Sequence, residues 1–188
     1  MNTRGAVRKY WVTGASLALF IGALGLIAPA TASASTTTSC AGQYVFGPLH
    51  LESIASRAGT SPLFLGNHLG EAVVYPADGK PTQEWSGYRD ANCALVIYNG
   101  TSDEVLTAAT GADCYPGYTD CLILAPFFEG DQYQEWSRDV FGRTWVIHLL
   151  ATVDDGKAIG DPGGLDASSQ PAVLTARHVT QAAQQWQS

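Results

Sequence analysis

The residues of this chain that suit recognition chemistry are aromatic and acidic, and several crowd one short loop. Tyr115, Tyr118 and Asp120 lie between Cys114 and Cys121, and Phe127-Phe128 follow in a later turn. A ring covers an apolar face while a hydroxyl and a carboxylate fix polar groups, which is what a sugar or a protein partner needs. The same tyrosines are equally suited to covering the base of the loop. Catalytic patterns are missing. The four histidines, His50, His68, His148 and His178, have neither His-x-x-x-His nor His-Glu-x-x-His spacing, so no metal site is expected. There is no Gly-x-Ser-x-Gly elbow and no phosphate-cradling glycine loop. Asp103-Glu104 and Asp154-Asp155 are adjacent acids before turns, where solvated carboxylates are ordinary. A glycosidase needs two carboxylates across a cleft, and sequence does not give that separation. The expectation is a binding protein, not an enzyme, with no cofactor and no metal.

The elements that must position these residues are announced by a repeat. Gln83-Glu84-Trp85-Ser86 returns as Gln134-Glu135-Trp136-Ser137 and again as Gln184-Gln185-Trp186, at offsets of 51 and 50 residues. With nine Gln in 188 residues, three of five Trp preceded by Gln at this spacing is a chance of about one in a thousand. Two further triplets fall into register under the same offsets. Tyr44-Val45-Phe46 lands on Leu95-Val96-Ile97 and Trp145-Val146-Ile147; Ala72-Val73-Val74 lands on Ile123-Leu124-Ala125 and Val173-Leu174-Thr175. These short apolar runs, rich in β-branched and aromatic residues, read as buried strands. Each unit opens on a strand, reaches another near two-thirds of its length and closes on Gln-x-Trp.

Residues 1–34 carry Arg4, Arg8 and Lys9, an apolar run from Trp11 to Ile27, Pro29, and Ala32-Ser33-Ala34. This is the pattern of a secretory signal peptide cleaved after Ala34. An uncleaved anchor is the rival, since the run approaches spanning length. Cleavage leaves residues 35–188 as one secreted domain, with seven basic against seventeen acidic residues and a net charge of −10. Such a surface repels nucleic acid and anionic lipid. No nucleic-acid partner and no membrane insertion after cleavage are expected.

Cys40, Cys93, Cys114 and Cys121 all lie in the exported part, which argues for two disulfides. Three pairings are open; Cys114–Cys121, closing a short loop, and Cys40–Cys93, each ahead of an opening strand, are favoured. A four-thiolate zinc site lacks any Cys-x-x-Cys pair. Turn formers are frequent, among them Gly47-Pro48, Asn99-Gly100 and Pro162-Gly163-Gly164, and no helical apolar period lasts beyond a turn or two. The chain reads as all-β.

Three units of about 50 residues in one β domain, each closing on Gln-x-Trp, resemble the ricin-type β-trefoil lectins. The resemblance covers residues from Ser39 to Ser188, with units of about 40–86, 87–137 and 138–188. It implies four strands per unit, a six-stranded barrel closed by three hairpins, Trp85, Trp136 and Trp186 in the shared core, and each Gln tying the last strand to a neighbouring loop. It also implies a shallow sugar pocket on each unit, built from an Asp, an aromatic platform and an Asn before the Gln. Here the corresponding segments are Ile54-Ala55-Ser56, Val105-Leu106-Thr107 and Ile159-Gly160-Asp161; the platform positions are Val73, Leu124 and Leu174; and Thr82, Tyr133 and Ala183 precede the Gln.

The residues that could still serve such pockets are Asp161 with Gln184 in the third unit, and Tyr133 with Gln134 in the second, beside the Tyr115, Tyr118 and Asp120 loop. Asp161 sits in a Gly-Asp-Pro-Gly-Gly turn, where satisfying turn amides is the plainer role. The resemblance therefore implies a secreted carbohydrate-binding module whose partner is an extracellular glycan or polysaccharide. The alternative is a trefoil that binds a secreted protein, such as an inhibitor of a protease acting through residues 114–121. A structural cell-surface protein is a third reading.

Overall fold

The computed structural model of the chain describes residues 39–55, 62–114, 116–150, 157–162, 170–178 and 180–188. The leader, Tyr115 and Asp154-Asp155 lie outside them. The described residues form fourteen strands joined by turns and three-residue 3-10 segments, and none forms an α-helix. The strands are β1 (Tyr44–His50), β2 (Glu52–Ser53), β3 (Leu63–His68), β4 (Glu71–Pro76), β5 (Glu84–Arg89), β6 (Leu95–Asn99) and β7 (Glu104–Thr110). They continue as β8 (Asp120–Pro126), β9 (Trp136–Phe141), β10 (Thr144–Leu149), β11 (Lys157–Gly160), β12 (Gln170–Pro171), β13 (Val173–Ala176) and β14 (Trp186–Gln187). No helix among the described residues is long and apolar enough to cross a membrane.

All pairings are antiparallel, and six of them close a ring. β1 pairs β5, β5 pairs β6, β6 pairs β9, β9 pairs β10, and β10 pairs β14. β14 then returns to β2, the continuation of β1, with Trp186 opposite Ser53. Closure leaves this barrel without a free edge. Three hairpins, β3–β4, β7–β8 and β11–β13, stand outside the ring. They are joined to one another where β4 meets β8 at Glu71 and Ile123, and where β8 meets β13 at Cys121 and Val173. β12 adds to the other side of β4.

The two repeated triplets read from the sequence lie, copy by copy, in β1, β6 and β10 and in β4, β8 and β13. Alternation along each strand sends one face inward. Trp85, Trp136 and Trp186 are fully buried, and each indole N–H donates to a carbonyl one hairpin away: Leu65 at 2.9 Å, Leu106 at 2.9 Å and Ile159 at 3.2 Å. Burial of these rings with their one polar atom paired is the largest apolar contribution in the core. Gly87, inward-facing on β5, is glycine because a Cβ there would collide with the Phe46 and Leu95 side chains. At the corresponding point of β9 stands Arg138, whose guanidinium lies over the Trp145 ring at 4.3 Å and the Phe46 ring at 5.2 Å.

Both favoured disulfides are present. Cys40–Cys93 fastens the segment before β1 to the β5–β6 turn, and Cys114–Cys121 closes the loop between β7 and β8.

Candidate functional site

Each Gln of the repeated motif is a clasp between the end of a hairpin and the strand that follows. Gln83 donates from Nε2 to the carbonyls of Tyr75 (3.3 Å) and Pro76 (3.1 Å) and accepts from the Asp78 N–H at 3.0 Å. Gln134 donates to the Pro126 carbonyl (2.9 Å) and Thr107 Oγ1 (3.1 Å) and accepts from the Phe128 N–H at 2.8 Å. Gln184 donates to Thr175 Oγ1 and the Ala176 carbonyl, both at 2.6 Å, and accepts from the His178 N–H. All three are about 1 % exposed, and both side-chain polar atoms of each are engaged inside the fold. This is the tying role that the resemblance implies, and neither Gln134 nor Gln184 faces solvent.

The remaining residues singled out in the sequence do not converge. Asp161 is buried, its Oδ2 accepting from Ser53 Oγ at 2.6 Å and its N–H donating to the Ala183 carbonyl at 2.7 Å. It therefore ties the third unit to β2. Tyr133 is half-buried against the core; its carbonyl accepts from the Ala108 N–H at 2.9 Å and its own N–H donates to Asp131 Oδ1 at 3.0 Å. Val73, Leu124 and Leu174, at the platform positions, are buried. Asp120 pairs with Lys157 Nζ at 3.1 Å and Tyr118 is half-buried in the stapled loop.

Aromatic side chains gather elsewhere, on the outer wall of the barrel where β5 turns into β6. Strand alternation that buries Trp85 and Gly87 turns Tyr88 outward, and the partner strand turns Val96 and Tyr98 to the same face. Tyr88 stands edge-on to Tyr98 with ring centroids 5.8 Å apart, Tyr44 stands edge-on to Tyr88 at 5.8 Å, and Phe127 tilts toward Tyr98 at 6.3 Å. Beside this row opens a cleft of about 490 Å³, lined by Tyr88, Val96, Tyr98, Phe127, Asp90 and Glu129 among others. That volume lies within the range of small-molecule sites.

The charged groups of the cleft are held by backbone. Asp90 Oδ1 accepts from the Ala94 N–H at 2.8 Å, Glu129 Oε1 accepts from the Ala91 N–H at 2.9 Å, and Arg89 donates from Nη1 to the Cys93 carbonyl at 2.7 Å. Cys93 itself has φ of +63°, a left-handed conformation that the Cys40 disulfide and the turn hold in place. Burial, with the Glu129 carboxylate next in effect, raises the Tyr98 phenol above its ordinary pKa, so it stays a neutral donor and acceptor. Of these residues only Phe127 stood out in the sequence as a recognition group; Tyr44, Val96 and Cys93 were read for the frame. Tyr88 and Tyr98 are ordinary strand residues by composition, and Asp90 reads as a turn former.

No protein-family model and no curated protein matches the chain. Solved structures do. A designed three-fold symmetric protein, ThreeFoil, superposes with a TM-score of 0.55 at 15 % identity, over 73 % of this chain and 95 % of that one. A ricin B-like lectin of Macrolepiota procera, solved in complex with lactose, gives 0.55 at 15 % identity over 76 % and 96 %. The chain has the β-trefoil fold. A mosquitocidal holotoxin also matches at 0.55 and 16 % identity, over 76 % of this chain and 17 % of that chain. In this trefoil the positions beside the Gln clasps are filled by core packing and internal hydrogen bonds, while the aromatic cleft lies on the barrel wall between the β5–β6 turn and the segment after β8.

Proposed function

We propose that the chain is a secreted, disulfide-stapled carbohydrate-binding module without catalytic activity. It is built of three Gln-x-Trp units, residues 40–86, 87–137 and 138–188, after removal of residues 1–34. The observation that carries the reading is the row of Tyr44, Tyr88, Tyr98 and Phe127 rings on the outer wall of a trefoil. Ring faces of that kind cover the apolar side of a pyranose, and neighbouring carboxylates take its hydroxyl protons. Likeness of fold to a lectin solved with lactose supports it, as fold-level analogy. Two disulfides support an oxidising, extracellular setting. Gln134 and Gln184 then act as clasps and Asp161 as a tie, not as sugar contacts. The test is a glycan array with an insoluble-polysaccharide pull-down, using residues 35–188. Binding to a defined glycan class supports the reading; no binding across a broad panel overturns it.

A protein partner is the second reading, favoured by the loop that Cys114–Cys121 closes and the Asp120–Lys157 pair anchors. It carries Pro116, Gly117 and Thr119 exposed, with Tyr118 and Asp120 as the groups a partner would meet. Inhibition of a secreted protease that is lost on Tyr118→Ala would favour it.

A further inference from the structure

We propose that the end of the barrel at Arg138 and Arg89 binds a small monocarboxylate with an apolar body. This site lies on the inner face of the strand ring, apart from the aromatic wall, and does not require that wall to bind a glycan.

Two arginines meet there without an acid. Arg138 stands on the face of β9 that buries Trp136, where β5 has Gly87, and its guanidinium rests on the Trp145 ring at 4.3 Å and the Phe46 ring at 5.2 Å. Among the described residues no carbonyl or carboxylate accepts a hydrogen bond from it. Burial first, and the Arg89 charge second, lower its pKa below the ordinary arginine value, and it remains a cation at neutral pH. Arg89, the last residue of β5, gives one N–H to the Cys93 carbonyl at 2.7 Å. Acidic residues outnumber basic ones by seventeen to seven over residues 35–188, yet the charge that acts on Arg138 is a second cation. Contact with two rings accounts for where the guanidinium lies and leaves its N–H donors unmatched by the fold. An anion supplies the acceptors and offsets the repulsion from Arg89 in one step.

Geometry and solvation narrow the anion. A carboxylate presents two coplanar oxygens, which match the planar fork of a guanidinium. Beside the charges lie apolar surfaces: the Phe46 and Trp145 rings, and Val140, two residues along the same face of β9, opposite Trp145 and 53 % exposed. An alkyl or aryl body sheds water against them, a gain that the strongly hydrated sulfate and phosphate ions do not have. Physiological salt confines the field of the acidic surface to about 8 Å, so the local pair of guanidinium groups decides the sign of the attraction.

The experiment titrates the disulfide-bonded protein with phenylacetate, with its uncharged counterpart phenylacetamide and with sulfate, all at one ionic strength, by calorimetry and by thermal melting. The wild type is expected to bind phenylacetate about tenfold or more tighter than either control, and to melt at a higher temperature in its presence. Arg138→Lys keeps the charge without the fork and should weaken phenylacetate binding about fivefold or more. Arg89→Gln leaves the ring contacts of Arg138 in place and should weaken it similarly. Tyr98→Ala, on the outer wall, should leave it unchanged. If Arg138 only plugs the barrel, its replacement lowers the melting temperature while phenylacetate neither binds nor stabilises the wild type, and the proposal falls. Equal binding of phenylacetamide would make the site an apolar surface, and equal binding of sulfate an unselective anion site; either overturns the ligand class. Unchanged phenylacetate binding by folded Arg138→Lys and Arg89→Gln variants would put the ligand elsewhere and overturn the site.

Discussion

The two barrel hairpins β5–β6 and β9–β10 share a frame and differ on their outer face. Inside, Trp85 and Trp136 occupy the same place, both fully buried and both donating to a carbonyl at 2.9 Å. Outside, the offsets that superpose the tryptophans carry Tyr88 onto Asp139, Tyr98 onto His148 and Phe127 onto Arg177. Three aromatic residues in contact on one wall are thus replaced on the next by three ionisable ones that also meet. Asp139 pairs with Arg177, and its Oδ2 lies 3.5 Å from His148 Nε2. Closing a barrel on large rings leaves few choices within, whereas the outward positions of the same strands are open to whatever the surface must do. One wall has a cleft beside it, and the other is a solvated ionic cluster.

The largest effect should come from the part the hairpins share. Trp85→Ala and Trp136→Ala each remove a fully buried indole and leave the Leu65 or Leu106 carbonyl without its donor. Each is expected to cost about 3–5 kcal/mol in urea unfolding. Comparable losses support the interior equivalence; a loss below about 1 kcal/mol at either position would break it. Gln134→Ala should cost about 1–3 kcal/mol, because the Phe128 N–H and the Pro126 carbonyl lose a buried partner.

The part they do not share can be exchanged. Tyr88→Asp with Tyr98→His writes the second wall's residues onto the first. Stability should fall only by about 0.5–1.5 kcal/mol, the worth of an aromatic pair, while glycan binding at the cleft is lost. Equal losses of binding and stability would mean that the row is a packing feature.

This contrast also explains what was legible. The frame repeats, so Gln-x-Trp and the triplets of β1, β6 and β10 could be read by sliding the chain against itself; Cys40 and Cys93 paired by their place ahead of opening strands, and Cys114 with Cys121 by the short loop between them. The cleft does not repeat. Tyr88 and Tyr98 become neighbours only when two antiparallel strands set Tyr88 opposite Val96 and Ser86 opposite Tyr98. Phe127 and Glu129 arrive from a segment almost thirty residues further on. The available signal was negative: positions where the register holds but the residue types change from aromatic to charged. Asp161 illustrates the opposite error of weighting. Its turn made it conspicuous, yet its carboxylate accepts from Ser53, on a strand more than a hundred residues away in the chain.

On the ionic wall the expected effects are small. The Asp139 side chain is 29 % exposed and that of Arg177 is 35 % exposed, so solvent and salt screen the pair. Asp139→Asn should cost about 0.2–1 kcal/mol at low ionic strength and less in molar salt. A loss that ignored salt would show that the cluster is packed and not solvated.

The smallest difference is a matter of slope. The Tyr98 phenol is raised above its ordinary pKa of 10.0 by burial, then by Glu129, Asp103 and Tyr88; burial raises Tyr75 as well, with Asp78 adding to it and the Thr82 hydrogen bond opposing it. The unfolded chain therefore gives up these protons first as pH climbs. From about pH 10 upward the folded state binds more protons than the unfolded one, and stability falls until the raised pKa is passed. Below that window the stabilisation is fully present. Tyr98→Phe should flatten the decline in unfolding free energy above about pH 10 in part, and adding Tyr75→Phe should flatten it further. An unchanged slope in the double variant would place the alkaline loss elsewhere. Because Tyr98 belongs to the aromatic wall, the same substitution also tests whether the phenol that builds that wall contributes to the alkaline loss.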